Sequence, residues 1–158
     1  MAKVLLAMSG GVDSSLSAFL LLQQGYEVTG VTMVLSEANT GAVKEAKEVA
    51  HLLGIKHFSL DLQEDFHREV IQPFIEGYSK GYTPNPCIFC NKQIKFGVLW
   101  EQAKKLGCEF LATGHYARVG KDDEGNVVLL KGRSKKEQSY FLYNISPNIL
   151  RNLLFPLG

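Results

Sequence analysis

Short apolar runs alternate with amphipathic ones along most of the chain. Lys3-Val4-Leu5-Leu6-Ala7-Met8 is almost wholly apolar, the pattern of a strand buried on both faces. Leu16, Phe19, Leu20 and Gln23 then recur at helical spacing, and Ser14 and Ser15 are suited to open that helix. Residues 27–35 predict a second strand and 36–41 a small polar loop. Val43, Ala46, Val49, Ala50 and Leu53 share one face of a helix over 42–53, with Gly54 as its stop. A third strand follows at 56–61, then an amphipathic helix over 64–78 in which Pro73 predicts a kink or a break. Residues 81–90 read as a loop by their prolines, 91–106 as a helix stopped at Gly107, and 109–113 as a fourth strand. Beyond Gly114 the rhythm changes. Residues 116–119 and 127–131 flank Asp122-Asp123-Glu124-Gly125-Asn126, a hairpin signal, and Ser146-Pro147 opens a last short helix.

This alternation predicts an α/β fold in one domain over 1–158: a Rossmann-like parallel sheet with helices on both faces and a β-hairpin near the C-terminal end. Ligands in such sheets sit beyond the carboxyl ends of the strands. The turn after Met8, the end of the second strand and Gly114-His115 all follow strand ends, so they are expected to share one mouth.

Composition changes this picture little. A hydrophobic content of 46% with 21% charged residues describes an ordinary globular chain, and a net charge of +1 neither demands nor forbids a nucleic-acid partner. No apolar run is long enough to span a membrane, and Met1-Ala2-Lys3 leads straight into the first strand without room for a signal peptide. Three cysteines are too few for a disulfide framework. These features predict a cytoplasmic protein with no membrane partner.

The first candidate chemistry lies in Ala7-Met8-Ser9-Gly10-Gly11-Val12-Asp13-Ser14, between strand and helix. That arrangement aims backbone N–H groups and the positive end of a helix dipole into one hollow, which suits a phosphate. Gly10 and Gly11 permit positive φ and close approach of a ligand. Ser9, Ser14 and Ser15 add hydroxyl donors, and Asp13 could help hold Mg²⁺. Neither the Walker A spacing nor the GxGxxG fingerprint fits. Ser-Gly-Gly-Val-Asp-Ser resembles the PP-loop of the ATP pyrophosphatases, enzymes that split ATP into AMP and pyrophosphate while adenylating a substrate oxygen.

The second is Cys87-Ile88-Phe89-Cys90 at the head of a predicted helix, where the helix terminus favours thiolate. A structural zinc site lacks a second ligand pair, and a thioredoxin-like disulfide lacks its place after the first strand of a βαβ unit. A nucleophilic or sulfur-handling cysteine beside the ATP loop is the favoured reading. The sequence predicts no protein-bound metal site. Lys131, Arg133, Lys135 and Lys136 form a basic run that reads either as a solvated loop or as a phosphate contact.

Residues 83–96 (TPNPCIFCNKQIKF), 112–118 (ATGHYAR) and 137–143 (EQSYFLY), with 9–15, resemble the motifs of the bacterial tRNA-specific 2-thiouridylases of the MnmA type, in that family's order. The resemblance implies an adenine nucleotide alpha hydrolase-like fold and ATP-dependent thiolation of the wobble uridine of tRNA. Cytoplasmic partners would be tRNA and a persulfide sulfur donor protein. It implies that Ala7, Met8, Ser9, Gly10, Gly11, Val12, Asp13, Ser14, Met33 and Gly114 contact ATP, with Mg²⁺ assisting. It implies that Asn85, Pro86 and Cys87 touch the target base, that Cys90 is the catalytic nucleophile with Cys87 beside it, and that His115, Lys136, Glu137 and Gln138 contact tRNA. Glu137 stands where the family commonly has Asp. An iron–sulfur cluster argued for some members would use Cys87 and Cys90. Family members are roughly twice this length, with their second catalytic cysteine beyond the matched region, so the chain is expected to be an amino-terminal part, or a natural short form, that carries the ATP site and Cys90. Two other readings stay open: an amide-forming PP-loop synthetase, and a non-catalytic ATP-binding or sulfur-relay module.

Overall fold

The computed structural model describes residues 1–158, with side chains described at all positions but Asn39 and Thr40. Five strands form one parallel sheet: β1 (Lys3–Ala7), β2 (Glu27–Val34), β3 (Lys56–Asp61), β4 (Phe110–Ala112) and β7 (Leu153–Leu154), in the order β3-β2-β1-β4-β7. β5 (Ala117–Lys121) and β6 (Val127–Lys131) make the expected antiparallel hairpin, closed through Asp122, whose carboxylate accepts the N–H groups of Glu124 and Asn126.

β1 is central because its side chains feed two cores at once. Alternate residues of a strand point to opposite faces, and Val4, Leu5 and Leu6 are all fully buried. Leu5 packs with Val31, Leu99, Leu111 and Leu142 on one face. Val4 and Leu6 pack with Ala18, Leu21, Ala46, Ala50 and Ala112 on the other. The helices on that second face are α1 (Val12–Gln23) and α2 (Thr40–Leu52), whose alanines let them approach the sheet closely. From β1 the chain builds outward to β2 and β3, then returns to place β4 and β7 on the opposite side. The crevice between β1 and β4 is therefore the topological switch point, where open α/β sheets bind ligands.

Four local expectations are corrected. A 3-10 turn at Glu37–Asn39 and the start of α2 occupy most of the predicted 36–41 loop. Pro73 does not break its helix: α3 runs over 63–79, with a π turn at His67–Ile71 just ahead of the proline. The wider turn accommodates a residue that can neither donate to the carbonyl one turn back nor tolerate it against its ring. Helix α4 begins at Pro86 rather than 91 and runs over 86–105, with a π stretch at Cys90–Val98. Asn85 is its N-cap, the side-chain oxygen accepting the Cys87 N–H at 3.0 Å, and Pro86 sits in the first turn, where its missing N–H is not needed. Finally, the short β7 adds a parallel edge strand after the last helix, α5 (Pro147–Leu150). Among the described residues no helix is long and apolar enough to cross a membrane.

Candidate active site

In the turn between β1 and α1 positive φ is used at Gly10, while Gly11 is extended. Gly10 has φ of +79°, and a Cβ there would lie 2.5 Å from the Cβ of Glu45 and 2.9 Å from the backbone nitrogen of Ala46. Only glycine lets this turn lie against α2. Gly11 is the N-cap of α1 and makes no side-chain cap, so the leading N–H groups of a 12-residue helix are left for a ligand. The serines differ from expectation. Ser14 and Ser15 hydroxyls both donate to the Gly11 carbonyl, at 3.1 and 2.9 Å, and Ser14 Oγ also accepts the Ser9 N–H at 3.2 Å. They brace the turn, because a hydroxyl at a helix start finds that carbonyl within reach.

A cavity of about 250 Å³ opens over this turn, walled by Ala7, Met8, Ser9, Asp13, Ser14 and Met33, and by Thr113, Gly114, His115 and Gln138. Three strand ends thus meet at one mouth, as the fold requires. Gly114 closes it tightly: a Cβ there would meet the backbone of Asp13 and Ser14 at 3.2–3.3 Å. Tyr116 donates its hydroxyl to Asp13 Oδ1 at 2.6 Å, a bond that holds the phenol above its ordinary pKa.

A second cavity, of about 290 Å³, lies at the head of α4 and is lined by Cys87, Cys90, Asn91 and Phe141. Asn91 is buried, and its Nδ2 donates to the Phe141 carbonyl at 3.0 Å, tying α4 to the 3-10 turn Ser139–Leu142. Cys87 is exposed and Cys90 half-buried. The thiolate expectation fails for Cys90 as it stands. Burial pushes its thiol up from the ordinary value, against the pull of the Lys95 ammonium, and Cys87 adds to the rise. Desolvation outweighs the Lys95 charge here.

The two cavities share a wall of three side chains, Lys95, His115 and Gln138. Gln138 Oε1 accepts the Tyr116 N–H at 3.0 Å. His115 Nδ1 lies 2.6 Å from Thr113 Oγ1, and its ring sits near Phe96 and Phe155, with centroids 6.0 and 6.2 Å away. Burial first, and the Lys95 charge second, lower its pKa to about 3. His115 is therefore a neutral hydrogen-bonding group, not a cation for phosphate. An unfolded histidine takes up its proton near pH 6.5, whereas this one resists down to about pH 3. Its contribution is complete above pH 6.5 and is lost as pH falls towards 3. Denaturant unfolding at pH 7 and pH 5 checks this: wild type is expected to lose about 1–2 kcal/mol more than His115→Gln over that interval.

Of the residues the sequence singled out, Ala7, Met8, Ser9, Asp13, Ser14, Met33 and Gly114 wall the first cavity. Gly10, Gly11 and Val12 shape the turn without lining it. Cys87, Cys90, His115 and Gln138 line the second. Asn85 and Pro86 build the helix start instead. Lys136 sits over the Tyr116 ring, its Nζ 5.6 Å from the centroid, and Glu137 accepts the Ser139 N–H; neither lines a cavity. Sequence reasoning missed Lys95, Thr113, Tyr116 and Phe141 as site residues. All four lie inside the quoted motifs, which was the available signal.

A family model described as tRNA methyl transferase HUP domain matches residues 2–158. The chain is 49% identical over 159 residues to the tRNA-specific 2-thiouridylase MnmA of Campylobacter fetus, covering 99% of this chain and 46% of that protein. It is 52% identical over 171 residues to the protein of the same name from Carboxydothermus hydrogenoformans, covering 99% and 47%. The chain thus spans about half the length of the curated relatives it matches. Among solved structures, a predicted subunit of tRNA methyltransferase from Methanocaldococcus jannaschii aligns with a TM-score of 0.59 at 24% identity, covering 99% of this chain and 68% of that one. The U34-tRNA thiolase NcsA of Methanococcus maripaludis, with its [4Fe-4S] cluster, aligns at 0.55 and 23% identity, covering 72% and 38%. At these identities the structural likeness is one of fold.

Proposed function

The chain belongs to the tRNA methyl transferase HUP-domain family, and from that premise we propose that it is the ATP-using, base-adenylating unit of a tRNA 2-thiouridylase. The observation that carries the reading is the shared wall: a phosphate-type turn and a cysteine cavity are separated only by Lys95, His115 and Gln138. A base held at that wall would have an activating group on one side and a thiol on the other. The relatives named tRNA-specific 2-thiouridylase, at 49% and 52% identity, supply the substrate class.

ATP is the substrate of the first step. The uncapped start of α1 and the positive φ of Gly10 fit its phosphates. Mg²⁺ fits as well: Asp13 keeps one carboxylate oxygen free of the Tyr116 bond, and this ion is commonly held by one carboxylate plus substrate phosphates. When bound, it would neutralise charge on the departing pyrophosphate. The uracil O2 attacks the α-phosphorus and pyrophosphate leaves. Sulfur then replaces the adenylated oxygen at C2 and AMP departs. A persulfide from a donor protein suits that step, because its outer sulfur is strongly nucleophilic near neutral pH. Freeing this sulfur from its carrier needs a second thiolate, which attacks the carrier-side sulfur and closes a disulfide. Cys90 faces the same cavity and fits that role. The wobble base lies in a single-stranded loop, where it can be splayed into a pocket at modest cost.

An iron–sulfur cluster does not fit this chain's own residues. Cys87 and Cys90 offer two thiols, while Cys108 lines a separate cavity with Lys3, Glu27 and Lys56 near the opposite ends of the strands. Among the described residues no three His, Cys, Asp or Glu side chains converge. The proposal is tested by pyrophosphate release from Mg-ATP with and without unmodified tRNA; an amide-forming synthetase would show no tRNA dependence, and a pure binder no release.

A further inference from the structure

Among the described residues, Lys95 is the one cation on the wall between the two cavities. It is half-buried, and among the described residues no carboxylate pairs with it. A semi-desolvated ammonium without a counter-charge is a standing site for an anion. The π stretch Cys90–Val98 explains its position. In an α-helix, residues five apart point to different faces; in the wider π turn, where i bonds to i+5, they stack. Cys90 and Lys95 are five apart and line the same cavity. The widening of α4 thus turns Lys95 towards the cysteine while leaving it on the nucleotide side as well.

Resting on the reading of this site as a base-adenylating one, we propose that Lys95 is a catalytic residue that serves two anions in turn, the thiolate of Cys90 and the α-phosphate of the nucleotide. With the nucleotide cavity empty, the ammonium favours thiolate at Cys90. Burial keeps the thiol above its ordinary value even so, and with phosphate bound the Lys95 charge is shared, so the thiolate fraction falls further. Departure of AMP returns the charge to sulfur. Adenylation and sulfur chemistry are thereby kept in order by a single side chain. The titratable groups facing Cys90 in its cavity are Cys87, Lys95 and His115. His115 stays neutral at working pH and Cys87 can only oppose thiolate formation, so Lys95 is the group that favours it.

The test reads sulfur reactivity directly and needs no tRNA. Iodoacetamide alkylation of Cys90 is followed by mass spectrometry across pH 6–10 in a Cys87→Ser background, with and without millimolar AMP. Lys95→Met is expected to raise the alkylation midpoint by about one pH unit, the usual effect of removing an adjacent opposite charge, and Lys95→Arg to leave it close to wild type. AMP is expected to raise the wild-type midpoint and leave that of Lys95→Met unmoved. An unchanged midpoint in Lys95→Met, or no response of the wild type to AMP, overturns the proposal. The AMP arm uses the unaltered lysine, so it decides even where a Lys95 variant folds poorly. Failure of tRNA-dependent pyrophosphate release alongside a normal AMP response would instead strike the substrate reading and leave the charge coupling standing.

Discussion

Gly10→Ala is expected to lower ATP affinity at least about a hundredfold and to cost roughly 2–4 kcal/mol of stability. Two effects add at this position. A residue with a Cβ at φ of +79° adopts the left-handed conformation at about 1–2 kcal/mol. The new Cβ would also lie 2.5 Å from Glu45 Cβ and 2.9 Å from the Ala46 nitrogen, so the turn or α2 must move. The Ala46 contact is backbone in a packed helix, which cannot swing aside as a side chain can. Displacing the turn by even about an ångström misaims the N–H groups that meet the phosphates. Gly25→Ala is the control. Gly25 has φ of +82° with nothing within 4 Å, so it carries the conformational strain alone, and ATP binding there should be unchanged. Calorimetric titration with ATP and denaturant unfolding of both variants separate the two contributions.

Cys90→Ser is expected to separate the two halves of the reaction. Thiolated uridine formed with a persulfide donor should fall by more than about a thousandfold, since a hydroxyl at neutral pH is a far weaker nucleophile than a thiol. Pyrophosphate release in the presence of tRNA should stay within about threefold of wild type, because the first cavity does not include Cys90. Product analysis by nucleoside mass spectrometry and a pyrophosphate assay on the same samples check both statements. Equal loss of both activities would place Cys90 in adenylation and contradict the assigned order of steps.

Much of this site was legible in the residues. Lys3–Ala7 reads as a doubly buried strand because both its faces are apolar, and Leu5 and Leu6 do enter separate cores. Gly10 reads as part of a phosphate-type turn because only glycine suits the left-handed backbone required there, whereas Gly11 is extended. What was missed depends on contacts distant in sequence or on backbone widening. Pro84 and Pro86 read as a loop, yet Pro86 lies in a helix whose cap is Asn85, a role that becomes visible only when the cap bond is seen. Leu153 and Leu154 are too short a run to carry a period, and become a strand only by pairing with β4. The Cys90 thiol was expected to ionise readily from its place near a helix start, but burial against neighbouring elements raises it. Lys95 stands five residues from Cys90, a spacing that shares no α-helical face, so only the π stretch brings the two together. The serines looked like free donors because sequence does not reveal that the Gly11 carbonyl takes two of them.

The measurement that bears most directly on the central claim is pyrophosphate release from Mg-ATP by the chain, with unmodified tRNA and without it. Adenylation of a tRNA base predicts release that rises with tRNA, saturates, and disappears in Gly10→Ala. Release that ignores tRNA, or none at all while ATP still binds, would contradict the assignment of this chain as the base-adenylating unit.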